Sequence, residues 1–88
     1  MNNSQIEILD IAQEEAAEVI VAISKVSRFG LETVHKGRNN RAHLEEEAGD
    51  LLCMLRLMNS HGLVDWANVE LAATAKLEKL KQWSNIEI

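Results

Sequence analysis

Proline and tyrosine are absent from this 88-residue chain, and cysteine occurs once. Without proline nothing forces a break in a helix, and four glycines are the main punctuation left. A lone cysteine cannot close an internal disulfide, so a reducing, cytoplasmic setting is expected. The N-terminus has no basic segment leading into an apolar one, and apolar runs such as Val19 to Ile23 are far too short to cross a bilayer, so no membrane association is expected. Aromatic residues make up 3 % (Phe29, Trp66 and Trp83), which disfavours a surface that stacks the bases of single strands. Positive charge is also scarce. Nine Lys and Arg against fourteen Asp and Glu leave a net charge of −5, which argues against a nucleic-acid polymer as partner. A small phosphorylated ligand remains compatible with that balance.

What is present is helical material. A hydrophobic content of 47 % excludes a disordered acidic tail. A chain of this length buries only about 60–65 % of the surface it exposes when unfolded, so one domain over residues 1–88 that leans on a partner subunit is expected. The expected fold class is all-α, with three main helices per chain forming an oligomeric helical bundle. The first helix runs from about Ser4 to Arg28, with Asn3 or Ser4 as N-cap, Glu7 completing a capping box with Ser4, and Gly30 as its stop. Val19–Ile23 is rich in β-branched residues, but good helix formers flank it and no turn bounds it, so it reads as helix. Leu31 to Arg41 is a polar, basic connection with room for a helical turn around Leu31–His35. The second helix covers about Ala42 to His61, with Leu44, Leu51, Leu55 and Met58 on one stripe and Gly62 as stop. Asp65 caps a third helix from Trp66 to about Trp83, with Trp66, Val69, Ala73, Leu77 and Leu80 at helical spacing.

The informative feature is where the acids fall. At about 100° per residue, Ile8, Ile11, Glu15, Glu18, Ala22 and Val26 share one line, so two glutamates interrupt the apolar stripe of the first helix. In the second helix Glu47 and Asp50 lie beside His43, Met54 and Leu57, again on or next to the core-facing side. Acid-rich stretches are commonly solvated helix faces. Two matched pairs, each at three-residue spacing and each on an apolar stripe, weigh against that reading. Ionised carboxylates buried side by side need compensating cations, and neither stripe places a Lys or Arg between them. Hard divalent ions meet that need, and an all-oxygen set favours Mg²⁺, with Mn²⁺ also suited. A redox di-iron bundle would require Glu-x-x-His pairs, which Glu18 and Asp50 in the second positions do not supply.

EEAAE (Glu14 to Glu18), followed after a connection by EEEAGD (Glu45 to Asp50), resembles the paired Glu-Glu-x-x-Glu and Glu-x-x-Asp motifs of the MazG-type all-α nucleoside triphosphate pyrophosphohydrolases. Phosphoribosyl-ATP pyrophosphatases and dimeric dUTPases are relatives of that group. The likeness extends through SKVSRFG (Ser24 to Gly30), NNRAHLEEEAGDLL (Asn39 to Leu52) and, more loosely, AKLEKLKQWSNI (Ala75 to Ile86). It implies a Mg²⁺-dependent enzyme that splits a nucleoside triphosphate into monophosphate and pyrophosphate. By position Glu15, Glu18, Glu47 and Asp50 would hold metal, and Glu14 and Glu46 would be neighbouring catalytic acids that orient ligands or the attacking water. It also implies an obligate homodimer or homotetramer. Longer members carry a second repeat of the domain, which this chain lacks.

A triphosphate would be repelled by such a cradle without metal ions, so cations are expected at its rim. Lys25 and Arg28, Arg41 with Lys36 and Arg38 in the connection, and Lys76 with Lys79 are the candidates for substrate binding. Each is equally at home as a solvated charge or a helix-dipole partner. Cys53 reads as a small core residue, His61 as a helix cap, and His43 as packing or surface, with contact to a metal ligand or substrate as the alternative. His35 is undetermined. Trp66 and Trp83 read as interface core. Two readings from other classes compete with the enzyme: a helical dimerisation module whose acids bind a basic partner, and a divalent-ion-binding regulator. An acid patch for a protein partner should lie opposite the apolar residues, whereas a metal site should interrupt them.

Overall fold

A computed structural model describes all 88 residues as three helices and a two-stranded hairpin: α1 (Asn3–Phe29), β1 (Val34–His35), β2 (Arg38–Asn39), α2 (Asn40–Ser60) and α3 (Trp66–Trp83). The all-α expectation holds. No helix is long and apolar enough to cross a membrane.

The start of α1 differs from the expected Ser4–Glu7 box. Asn2 is the N-cap: its side chain accepts from the Gln5 N–H at 2.8 Å, and the Gln5 side chain accepts from the Asn2 N–H at 2.9 Å. Asn caps as well as Ser and Gln substitutes for Glu, so the box forms two residues earlier and α1 gains the residues behind it. The helix then runs unbroken through Val19–Ile23 to Gly30, whose φ of 95° ends it.

The connection is not the helical turn expected around Leu31–His35. Val34 pairs with Asn39 and His35 with Arg38 in an antiparallel hairpin. The two residues between them, Lys36 (φ 51°) and Gly37 (φ 82°), are both left-handed, which is the geometry of a tight two-residue hairpin turn and incompatible with a right-handed helix. Asn39 caps α2 by accepting from Ala42 N–H at 2.8 Å, so α2 starts two residues before the expected boundary. His61 is its C-cap, followed by Gly62 at φ 74°. Asp65 caps α3 as expected, accepting from Ala67 N–H at 3.0 Å.

Helices α1 and α2 lie antiparallel, tied at both ends. Gln5 Nε2 donates to the His61 carbonyl at 2.8 Å, and Asn40 Nδ2 donates to the Gly30 and Lys25 carbonyls at 2.9 and 3.4 Å. Ile8, Ala12 and Met54 form the core, with Ile11, Met58 and Leu63 packed against it. The molecule measures 41 × 37 × 14 Å. The chain is therefore a flat slab, much thinner than it is long or wide. A slab has little interior, and only 7 of 88 residues are buried, none of them in α3.

That thinness corrects the expected stripe of α2. The buried line is Asn40, His43, Glu47 and Met54, and it faces α1. Leu51, Leu55 and Met58 sit about 60° round the helix on average, half-buried, where with Leu9, Ala12 and Ala16 they border an open apolar groove of about 570 Å³. One neighbouring helix can cover one face of α2, and in this chain that face carries Asn40, His43 and Glu47 along with Met54.

Candidate metal centre and its flanking cavity

Glu15 on α1 meets Glu47 and Asp50 on α2, one carboxylate oxygen from each lying within 4.8 Å of the others. Glu47 and Asp50, three residues apart, project from adjacent turns, and antiparallel pairing brings Glu15 opposite them. Small buried residues, Ala12 and Ala22, flank Glu15 and Glu18 along the seam and keep the two axes close. Glu47 is buried, Glu15 half-buried and Asp50 exposed, so the cluster opens toward solvent from a protected base.

The electrostatics are those of an uncompensated acid group. The Glu15 carboxyl is pushed above its ordinary value, first by partial desolvation, then by the charges of Asp50, Glu47, Glu18 and Glu14. The ion pairs of the chain use Glu32, Glu46, Glu47 and Glu78, leaving Glu15, Glu18 and Asp50 without a basic partner. Glu47 has His43, one turn earlier and also buried, with Nε2 at 3.4 Å from Oε1. Mg²⁺ takes oxygen ligands at about 2.0–2.1 Å in an octahedron, which spaces ligand atoms about 3–4 Å apart. Three oxygens within 4.8 Å need only small side-chain rotations to reach that spacing. The donor set therefore fits a hard divalent ion.

Glu18, the fourth expected ligand, is not in this group. It is exposed and, with Glu47, lines an adjoining cavity of about 210 Å³. Lys25, Lys36 and Arg38 line the same cavity, as do His35 and His43. Acid and base thus face one space, and the hairpin delivers Lys36 and Arg38, two of its three Lys and Arg residues.

The other expected residues are distributed as follows. Glu14 is exposed beside Glu15. Glu46 is ion-paired with Arg38. Arg41 lines no cavity; its Nε and Nη2 donate to Glu32 Oε1 at 3.0 and 2.5 Å, and that hydrogen bonding, with the charge of Glu32, raises the guanidinium pKa further. Arg28 sits over the Phe29 ring, 5.0 Å from its centroid, at the solvent end of α1. Lys76 and Lys79 are exposed on α3 and line no cavity of this chain.

Glu47 lies on the buried line of α2 beside Met54, Glu15 is half-buried, and Asp50 opens to solvent. A family model for the MazG nucleotide pyrophosphohydrolase domain matches residues 3–84. The chain belongs to the MazG family. No curated protein and no solved structure matches it. MazG membership joins the two acidic segments to a nucleotide-hydrolysing domain that takes up nearly the whole chain. Sequence reasoning missed Asn40 in this MazG domain. It is 4 % exposed and pins the end of α1 to the start of α2 beside the cavity. Within NNR nothing distinguishes the asparagine that caps from the one that is buried.

Proposed function

We propose that the chain is a Mg²⁺-dependent nucleoside triphosphate pyrophosphohydrolase, converting ribo- or deoxynucleoside triphosphates to monophosphate and pyrophosphate as a cytoplasmic house-cleaning activity. The observation that carries this reading is the convergence of Glu15, Glu47 and Asp50 beside a cavity that Lys25, Lys36 and Arg38 also line, inside a MazG domain. Glu15, Glu47 and Asp50 hold the ion and Glu18 joins them from the wall of the adjoining cavity. Mn²⁺ suits the same donors. The ion supplies charge neutralisation on the phosphate oxygens and a more acidic water.

The protein's own part is positioning and charge. Lys25 and Lys36 receive the phosphate chain along the basic wall, and His43 orients the Glu47 carboxylate. Water adds at the α–β anhydride, the bridging P–O bond breaks, and pyrophosphate departs along the same wall. Glu14, exposed and unpaired, accepts the proton of that water; Glu46, held by Arg38, is the orienting acid.

The active form is a homodimer or homotetramer. The chain exposes 6605 Å², whereas a compact monomer of 9.9 kDa exposes about 5,200 Å². The surplus of roughly 1,400 Å² per chain is what a large obligate interface removes. Its natural seat is the apolar groove along Leu51, Leu55 and Met58, where a second layer of helices completes the core.

Incubation with a panel of nucleoside triphosphates, in Mg²⁺ or in EDTA, tests the reading by product analysis. Pyrophosphate and monophosphate in equal amounts, only with Mg²⁺, are expected. Ion binding with no turnover on any of the panel would identify a regulator instead.

A further inference from the structure

The cavity that Glu18 and Glu47 line has a neighbour. A second cavity of about 260 Å³ is lined by Lys25, Phe29, Thr33, Val34, His35 and Asn40. Lys25, His35 and Asn40 belong to both, so the two spaces adjoin across a common wall. Their chemistries are opposed. The first is charged, with Val21 its one apolar lining residue; the second presents mostly apolar surface.

Small-molecule sites usually occupy about 300–1,000 Å³. At 210 and 260 Å³ neither space reaches that range alone, and the pair does. Of the polar side chains that line the second space, the Thr33 hydroxyl and the Asn40 amide N–H are already engaged. The Thr33 hydroxyl donates to the Phe29 carbonyl, and Asn40 Nδ2 to the carbonyls of Gly30 and Lys25. Phe29 is one of three aromatic residues in the chain and is 56 % exposed, so it contributes little to any core. An exposed ring and an exposed valine beside a phosphate-sized ionic cavity suit a molecule that is flat and apolar-faced at one end and anionic at the other.

We propose that the second cavity is the nucleobase compartment, with the base against Phe29 and Val34, the sugar crossing the Lys25–His35 wall, and the phosphates in the first cavity. The assignment rests on the pyrophosphohydrolase reading of that first cavity. Since stacking serves every base and the nearby amide and hydroxyl donors are engaged, the compartment accepts purines and pyrimidines with weak discrimination.

Steady-state kinetics of the full chain with purine and pyrimidine triphosphates test this, using Phe29→Ala and Val34→Ser. Both variants are expected to raise KM about tenfold for every base, to hold kcat within about twofold, and to leave inhibition by pyrophosphate unchanged, because pyrophosphate needs only the ionic cavity. Unchanged KM in both variants, with wild-type turnover intact, overturns the base compartment and leaves the hydrolase reading standing. A Phe29→Ala variant altered in oligomeric state alone, with KM unmoved, assigns the ring to a subunit contact and overturns it too. Should the wild type turn over no triphosphate, the hydrolase reading fails separately, and amide NMR during addition of a nucleoside monophosphate decides the compartment. Shifts at Thr33 and Val34 that vanish in Phe29→Ala support it; their absence overturns it.

Discussion

Glu15 carries the electrostatic strain of the site. Its carboxyl is held above the ordinary value by desolvation and four neighbouring acids, so ionising it costs more in the fold than in the unfolded chain. Protonated Glu15 therefore contributes stability that is present at acid pH and lost as pH rises through its folded value. Without divalent ions, Glu15→Gln is expected to melt higher than wild type at pH 7, and the difference should vanish below the ordinary carboxylate range. Added Mg²⁺ should raise the wild-type Tm and leave that of Glu15→Gln nearly unmoved. Scanning calorimetry at two pH values reads all of this; equal Tm values at pH 7 would contradict it. Asn40 has the opposite character, being fully employed in structure. Asn40→Ala removes the side-chain donor to the Gly30 carbonyl and the second donor to the Lys25 carbonyl, and should cost about 1–3 kcal/mol in urea unfolding. The acids were legible because they break a pattern of apolar spacing. Asn40 was not, because its neighbours have the same composition as a loop.

Among the elements, the hairpin has the most to answer for, since it brings Lys36 and Arg38 to the cavity. Its turn depends on Gly37 at φ 82°, where an added Cβ meets no atom within 4 Å, so the cost of a side chain there is conformational, about 1–2 kcal/mol. Gly37→Ala should loosen the hairpin and raise KM for triphosphates while the helical circular dichroism stays unchanged. An unaltered KM would detach the hairpin from substrate binding. The helices themselves were readable to within two residues at their ends, because glycine stops and Asp65 state their chemistry locally. The hairpin was not readable. Two-residue strands carry no periodicity, and Lys-Gly signals a left-handed turn less clearly than Asn-Gly does. Nor did periodicity say which face of α2 would meet α1, since the leucine line and the His43–Glu47 line are both continuous.

For the whole molecule, shortage of core is the governing fact. A 14 Å slab with four buried apolar residues, and with Trp83 82 % exposed, leaves α3 and the leucine line of α2 without a partner inside one chain. Length alone anticipated this deficit, while its location needed three dimensions. Leu55→Lys, in the open groove, is expected to drive the assembly to monomer in sedimentation equilibrium and to lower Tm in proportion; a monomeric wild type would remove the assembly from the account. If the proposed assembly is the active form, turnover by Leu55→Lys should fall along with its oligomeric state.

The most direct measurement is ³¹P NMR of a nucleoside triphosphate incubated with Mg²⁺ and either wild-type chain or Glu47→Gln, whose fold is checked by circular dichroism. Equal growth of pyrophosphate and monophosphate signals is expected with wild type, and none with Glu47→Gln. Orthophosphate as the first product, or full turnover by Glu47→Gln, would contradict this.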